Sequence, residues 1–120
     1  MLQPANLTEY KGGMAGLVDI VQAAPLVVVI FGTPWCPPCK RLDSEIPELA
    51  AERPTVVFLK VNVEDNDELS DSFDILSIPH VKYFRSVSDS GVPIEIESTI
   101  GANIAEIKEK VRRLDSKQTD

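Results

Sequence analysis

The most constraining stretch of the chain is a junction. Six apolar residues, Leu26-Val27-Val28-Val29-Ile30-Phe31, run without a polar interruption and lead through Gly32-Thr33-Pro34 into Trp35-Cys36-Pro37-Pro38-Cys39-Lys40. A β-branched run of this kind reads as a central strand covered on both faces. Beyond the cysteines, Leu42, Ile46, Leu49 and Ala50 recur at helical spacing. A strand that hands over directly to a helix places Cys36 at the helix N-terminus, where unpaired amides and the positive end of the dipole stabilise a thiolate. Cys39, three positions on, lies on the same face one turn later. The spacing predicts an exposed, nucleophilic sulfur at Cys36 and a sheltered one at Cys39.

With 120 residues the chain is long enough for one domain with its own core. One domain over 1–120 is expected, weakly defined over 1–13 and frayed over 116–120. A net charge of −7 repels a phosphate backbone and keeps the chain soluble, so no nucleic-acid partner is expected. The first two dozen residues carry no basic n-region or cleavage site, and Asp19, Gln22 and Pro25 interrupt the apolar stretch over 14–31. Neither a secretion signal nor a membrane span is expected. The chain holds 2 cysteines, too few and too close for a disulfide scaffold, which points to a reducing compartment, the cytoplasm.

Elsewhere the pattern alternates strand and helix. Residues 7–10 allow a short edge strand; Met14, Leu17, Val18 and Val21 mark an amphipathic helix. The second helix is predicted to end near Glu52, with a kink near Asp43 where Pro47 removes a backbone bond. Residues 56–63 read as a buried strand carrying one charge, Lys60. Asp65-Asn66-Asp67-Glu68 reads as the capped start of a short helix reaching about Phe73. Residues 81–84 and 92–97 form an expected antiparallel hairpin around a polar turn at 86–91. A last helix starts at Asn103 as N-cap with Glu106 reaching back, and buries Ile104, Ile107, Val111 and Leu114. Its Lys108, Lys110, Arg112 and Arg113 are predicted to form a solvated face complementing the helix C-terminus. The whole is an α/β fold, a mixed sheet with helices on both faces.

The cysteine motif is similar to the active-site signature of the thioredoxin family. Ile78-Pro79 resembles that family's cis-proline, Gly101 its groove glycine, and Lys60 stands where the family carries a buried lysine. The resemblance covers residues 26–114 and implies a thioredoxin fold, a central mixed sheet of four to five strands. Three positions depart from the pattern. Pro37 replaces a glycine, giving a Pro-Pro core also seen in tryparedoxins. Ile30 stands where many relatives carry a buried aspartate that helps deprotonate the resolving thiol. His80 stands where threonine is usual.

The resemblance implies a dithiol–disulfide oxidoreductase that reduces protein disulfides and serves cell redox homeostasis. Cys36 attacks as thiolate and Cys39 resolves the mixed disulfide. Both prolines lack an N–H, so the first amide able to donate to the Cys36 sulfur belongs to Cys39 or Lys40. Trp35 shields the sulfur and offers a flat contact surface. Trp35, Ile78, Pro79 and Gly101 form the substrate-binding set, with Ile78 offering backbone to an extended peptide. His80 is either a partly exposed strand residue or a proton carrier in place of the missing acid. Lys60 either snorkels or tunes the thiols. Two cysteines and His80 fall short of a closed four-ligand zinc site, so no metal and no organic cofactor are expected. The expected partners are a thioredoxin-reductase-like enzyme or a low-molecular-weight dithiol (trypanothione or glutathione), and disulfide-bearing proteins such as peroxidases or reductases. The chain is expected to act as a monomer. The alternative reading is a redox-sensing adaptor of the same fold.

Overall fold

The computed structural model describes residues 3–86 and 93–116. In chain order the elements are β1 (Leu7–Glu9), α1 (Met14–Ala23), β2 (Val27–Gly32), α2 (Pro37–Glu52), β3 (Val57–Asn62), α3 (Asp67–Ser72), β4 (His80–Ser86), β5 (Pro93–Ile100) and α4 (Ile104–Ser116). Five strands form one sheet in the order β1-β3-β2-β4-β5. β1 and β2 run parallel to β3, whereas β4 is antiparallel to both β2 and β5. The mixed sheet expected from the sequence is present in its five-stranded form.

β2 lies at the centre because its side chains are apolar on both faces. Val28 and Ile30 pack with Leu42, Ile46 and Leu49 of α2 and with Ile107 and Val111 of α4. Val27, Val29 and Phe31 pack with Leu17 and Val21 of α1 and Leu69 of α3. Period-two alternation along one strand thus assigns a helix pair to each face. Gly32 ends β2, and a Cβ there would meet the Cys39 sulfur at 3.0 Å. The missing side chain lets the first turn of α2 sit against the strand end.

Several boundaries differ from the sequence pattern. α2 runs unbroken past Pro47, although the pattern predicts a kink near Asp43. β5 extends to Ile100, three residues beyond the predicted end, because β4 offers partners as far as His80. Most of the predicted turn at 86–91, and the predicted frayed tail beyond Ser116, lie outside the described residues. α3 begins as predicted, with the Asn66 side chain accepting from the Leu69 amide at 3.2 Å. Asn103 accepts from the Glu106 amide at 3.1 Å at the head of α4.

The basic residues of α4 do more than form the solvated face that the sequence suggests. Arg112 holds Glu52 of α2 through two bonds of 2.7 and 2.9 Å. Arg113 reaches Glu97 of β5 at 2.6 Å, and Lys110 donates to the Ser98 carbonyl at 2.7 Å. Carboxylates on neighbouring elements hold these cations, so they join α4 to α2 and β5 instead of serving only the helix end.

Asn6 makes a tie that no local pattern announces. Its Nδ2 donates to the carbonyls of Ala50, Arg53 and Val56 at 2.9, 2.9 and 2.8 Å. It thereby satisfies carbonyls freed at the end of α2 and joins the start of β1 to the loop before β3. Asn6→Ala leaves those acceptors without that partner, and we expect a loss of about 1–3 kcal/mol in urea unfolding. An unchanged unfolding midpoint would show that water replaces the amide without cost.

Candidate active site

The site begins as a helix cap. Cys36 is the N-cap residue of α2, and its sulfur accepts from the Cys39 amide at 3.2 Å. That is the place and the bond ordinarily held by Ser, Thr, Asp or Asn. Pro37 and Pro38 occupy the first two helical positions and have no N–H to offer. The Lys40 amide turns to the Cys36 carbonyl at 3.0 Å. Of the two donors that the sequence leaves open, Cys39 is the one that reaches the sulfur. Cys36 and Cys39 are joined as a disulfide, with Cα atoms 5.2 Å apart.

In this oxidised state the expected contrast in exposure is absent. Cys36 is 4% and Cys39 3% exposed. Bonding to Cys39 and accepting its amide draw the first sulfur inward. Exposure passes to the flanking residues: Trp35 is 62% exposed, and its indole N–H donates to both carboxylate oxygens of Glu64 at 3.1 Å. These bonds hold the ring with much of its surface open to solvent. Pro37 and Lys40 are exposed and Pro38 half-buried.

The residues that the sequence assigns to the substrate groove lie just before β4 and just after β5. The Ile78-Pro79 bond is cis, and Pro79 is buried with Ile78 half-buried before it. Gly101 adopts a φ of 91°, a left-handed conformation that glycine takes without penalty. Its N–H donates to the Pro79 carbonyl at 2.8 Å, bringing these two predicted groove residues together.

Lys60 borders a cleft beside Cys39, paired with Asp43 at 3.4 Å. Both side chains remain about one-third exposed, at 34% and 35%, so Lys60 is half-buried where the resemblance implies full burial. No local pattern marks Gly32, Asp43, Thr33 or Glu64 as part of this neighbourhood. The one usable signal is Gly32, a glycine closing an otherwise β-branched strand.

The structure does not bring His80 to the place of the missing acid. His80 pairs with Phe31 across β2, while Ile30 pairs with Val81. Paired residues share a face, so His80 lies with Phe31 on the side of α1 and α3, opposite Ile30. It is 8% exposed, and neither ring nitrogen has a hydrogen-bond partner among the described residues. The sequence offers a partly exposed residue or a proton carrier, and the observed environment is a buried core. Among the described residues no group of three or more His, Cys, Asp or Glu side chains could hold a metal ion, and no helix is long and apolar enough to cross a membrane.

Burial, aided by the Lys82 ammonium and opposed by Glu95, pushes the His80 pKa below its ordinary 6.5. The unfolded chain therefore takes up this proton first as pH falls, and stability declines from about pH 6.5 downward until the folded imidazole also protonates. The carboxylates of Glu52, Glu97 and Glu106, lowered chiefly by their hydrogen bonds to Arg112, Arg113 and Lys110, lose their contributions only below about 4.5. His80→Phe should flatten thermal stability between pH 6.5 and 5 while leaving the decline below 4.5. Parallel curves for the two proteins across that window would contradict a neutral, buried imidazole.

The family model described as Thioredoxin matches residues 17–113. The chain is 35% identical over 88 residues to a thioredoxin of Geodia cydonium, covering 73% of this chain and 78% of that one. It is 33% identical over 93 residues to human glutaredoxin-3, covering 78% of this chain but spanning 26% of that protein's length. The solved structure of Trichomonas vaginalis thioredoxin aligns with a TM-score of 0.81 and 28% identity, over 90% of this chain and 96% of that one. Sequence and fold agree over the residues that build the capped cysteine pair: the chain belongs to the thioredoxin family of thiol–disulfide oxidoreductases.

Proposed function

We propose that this oxidoreductase reduces disulfides in other proteins, with Cys36 as attacking thiolate and Cys39 as resolving thiol. The observation that carries the reading is the hydrogen bond from the Cys39 amide to the Cys36 sulfur at the head of α2. An amide donor and the positive helix end both favour S⁻ over S–H. The thiolate attacks a substrate disulfide, releases one substrate thiolate and leaves a mixed disulfide on Cys36. Cys39 then attacks the Cys36 sulfur, closes the internal disulfide and expels the second substrate thiolate. The substrate leaves with two more electrons, and the protein is oxidised by two.

Trp35 and the segment through Ile78, Pro79 and Gly101 form the docking surface in this reading. The exposed indole supplies apolar contact, and Ile78 offers its backbone to an extended peptide. Recycling falls to a thioredoxin-reductase-like flavoenzyme or a small dithiol such as trypanothione or glutathione, which makes the chain one link in cellular electron transport. Peroxidases and reductases with accessible disulfides fit as substrates. We place the protein in the cytoplasm as a monomer, because both cysteines are taken up by the redox pair and none is left for a structural scaffold. The redox-adaptor alternative is not favoured, since the dithiol pair is complete.

Insulin reduction with each candidate reductant in parallel tests this reading. Wild-type protein turns over with at least one of them, Cys36→Ser is inactive, and Cys39→Ser accumulates a mixed disulfide visible by mass spectrometry. A reduction potential near about −270 mV is expected for a reductant of this kind. A potential near about −120 mV would mark an oxidant instead, and a Cys39→Ser protein that turned over normally would remove the resolving role.

A further inference from the structure

The cleft beside Cys39 has a volume of about 150 Å³, and its walls include Glu9, Ile30, Thr33, Cys39, Asp43 and Lys60. It is open to solvent and has room for several water molecules. Ile30 contributes only methyl and methylene groups, so the strand beneath Cys39 offers the resolving thiol no proton acceptor. Asp43 stands four residues after Cys39 on α2, which puts both side chains on one helix face. Its carboxylate is held from across the cleft by the Lys60 ammonium of β3 at 3.4 Å. Thr33 supplies an independent observation: it is 5% exposed, and its hydroxyl has no hydrogen-bond partner among the described residues. A buried hydroxyl without such a partner, in the wall of a cleft open to solvent, is a site for bound water.

We infer that Asp43 accepts the proton of the Cys39 thiol through water held in this cleft against Thr33. The inference rests on the reading of Cys39 as resolving thiol and names the group that readies it. Within the mixed disulfide, the Cys39 S–H proton passes through water to the Asp43 carboxylate. The Cys39 thiolate then forms the bond to the Cys36 sulfur, the bond from Cys36 to the substrate sulfur breaks, and the substrate leaves with the electron pair. The proton held on Asp43 returns through water to that thiolate or to solvent. Charge and electrons balance without a further reactant. The other charged groups facing the cleft are Glu9 from β1 and Lys60 from β3. Glu9 pairs in register with Lys60 on the far side of β3 from β2, one strand further from Cys39 than Asp43's own helix.

Stopped-flow reaction of the reduced full chain with dithiobis-nitrobenzoate separates the two thiol steps, because each releases one coloured thiolate. The first release reports attack by Cys36 and the second reports resolution by Cys39. Asp43→Asn should leave the first release unchanged and slow the second by on the order of a hundredfold at neutral pH. Its rate profile should also move toward alkaline pH, where hydroxide substitutes for the carboxylate. Glu9→Gln removes the other acid that lines the cleft and should follow the wild-type second step. A second release in Asp43→Asn that superimposes on wild type overturns the inference. So does a Glu9→Gln profile that matches Asp43→Asn. Absence of the first release in wild-type protein would instead overturn the underlying assignment of the dithiol.

Discussion

One short contact organises this protein: the Cys39 amide donating to the Cys36 sulfur across the first turn of α2. A helix begins with amides that its own turns cannot satisfy. Here two of the leading positions are prolines, which remove their N–H groups and pre-set helical φ. The sulfur then occupies the cap, and the first amide still able to donate points at it. The same placement that finishes the helix also favours negative charge on the sulfur. Local structure and chemistry are therefore one arrangement, with the disulfide partner supplied by the residue whose amide donates.

The rest of the fold holds that turn in place. β2 carries the chain to it and is fixed on both faces by apolar side chains, with α2 and α4 on one side and α1 and α3 on the other. Gly32 clears space at the strand end for Cys39. The ion pairs of α4 with Glu52 and Glu97 are largely exposed, and water screens such pairs so that they add little to stability. They orient α4 against its neighbours while the buried apolar faces supply the stability. The Gly101 amide bonded to the Pro79 carbonyl joins the end of β5 to the head of β4, so the segment proposed to dock substrate is anchored separately from the cysteines.

Much of this was legible because it is local. The β-branched run over 26–31, the cysteine spacing, the Asn66 and Asn103 caps and the proline before β4 each carry their signal within a few residues. What was not legible is long-range. Asn6 bonds to carbonyls 44 to 50 residues away, and an asparagine near a strand start advertises nothing of the kind. The face on which His80 lies depends on register with Phe31, and a one-residue slip would reverse it. The pairing of Arg112 and Arg113 needs carboxylates from α2 and β5, which a helical wheel of α4 does not contain. The pairing of Asp43 with Lys60 joins α2 to β3, and nothing near either residue in sequence announces it. Helix position alone does not fix the exposure of Cys36, because it does not say that the sulfur turns in toward its partner.

The central claim is that the start of α2 makes Cys36 acidic. Its most direct test is the pH dependence of Cys36 alkylation in the fully reduced protein, with the modified residue assigned by mass spectrometry. The account predicts a midpoint at least one unit below the free-thiol value of about 8.5. A midpoint at or above that value would contradict it.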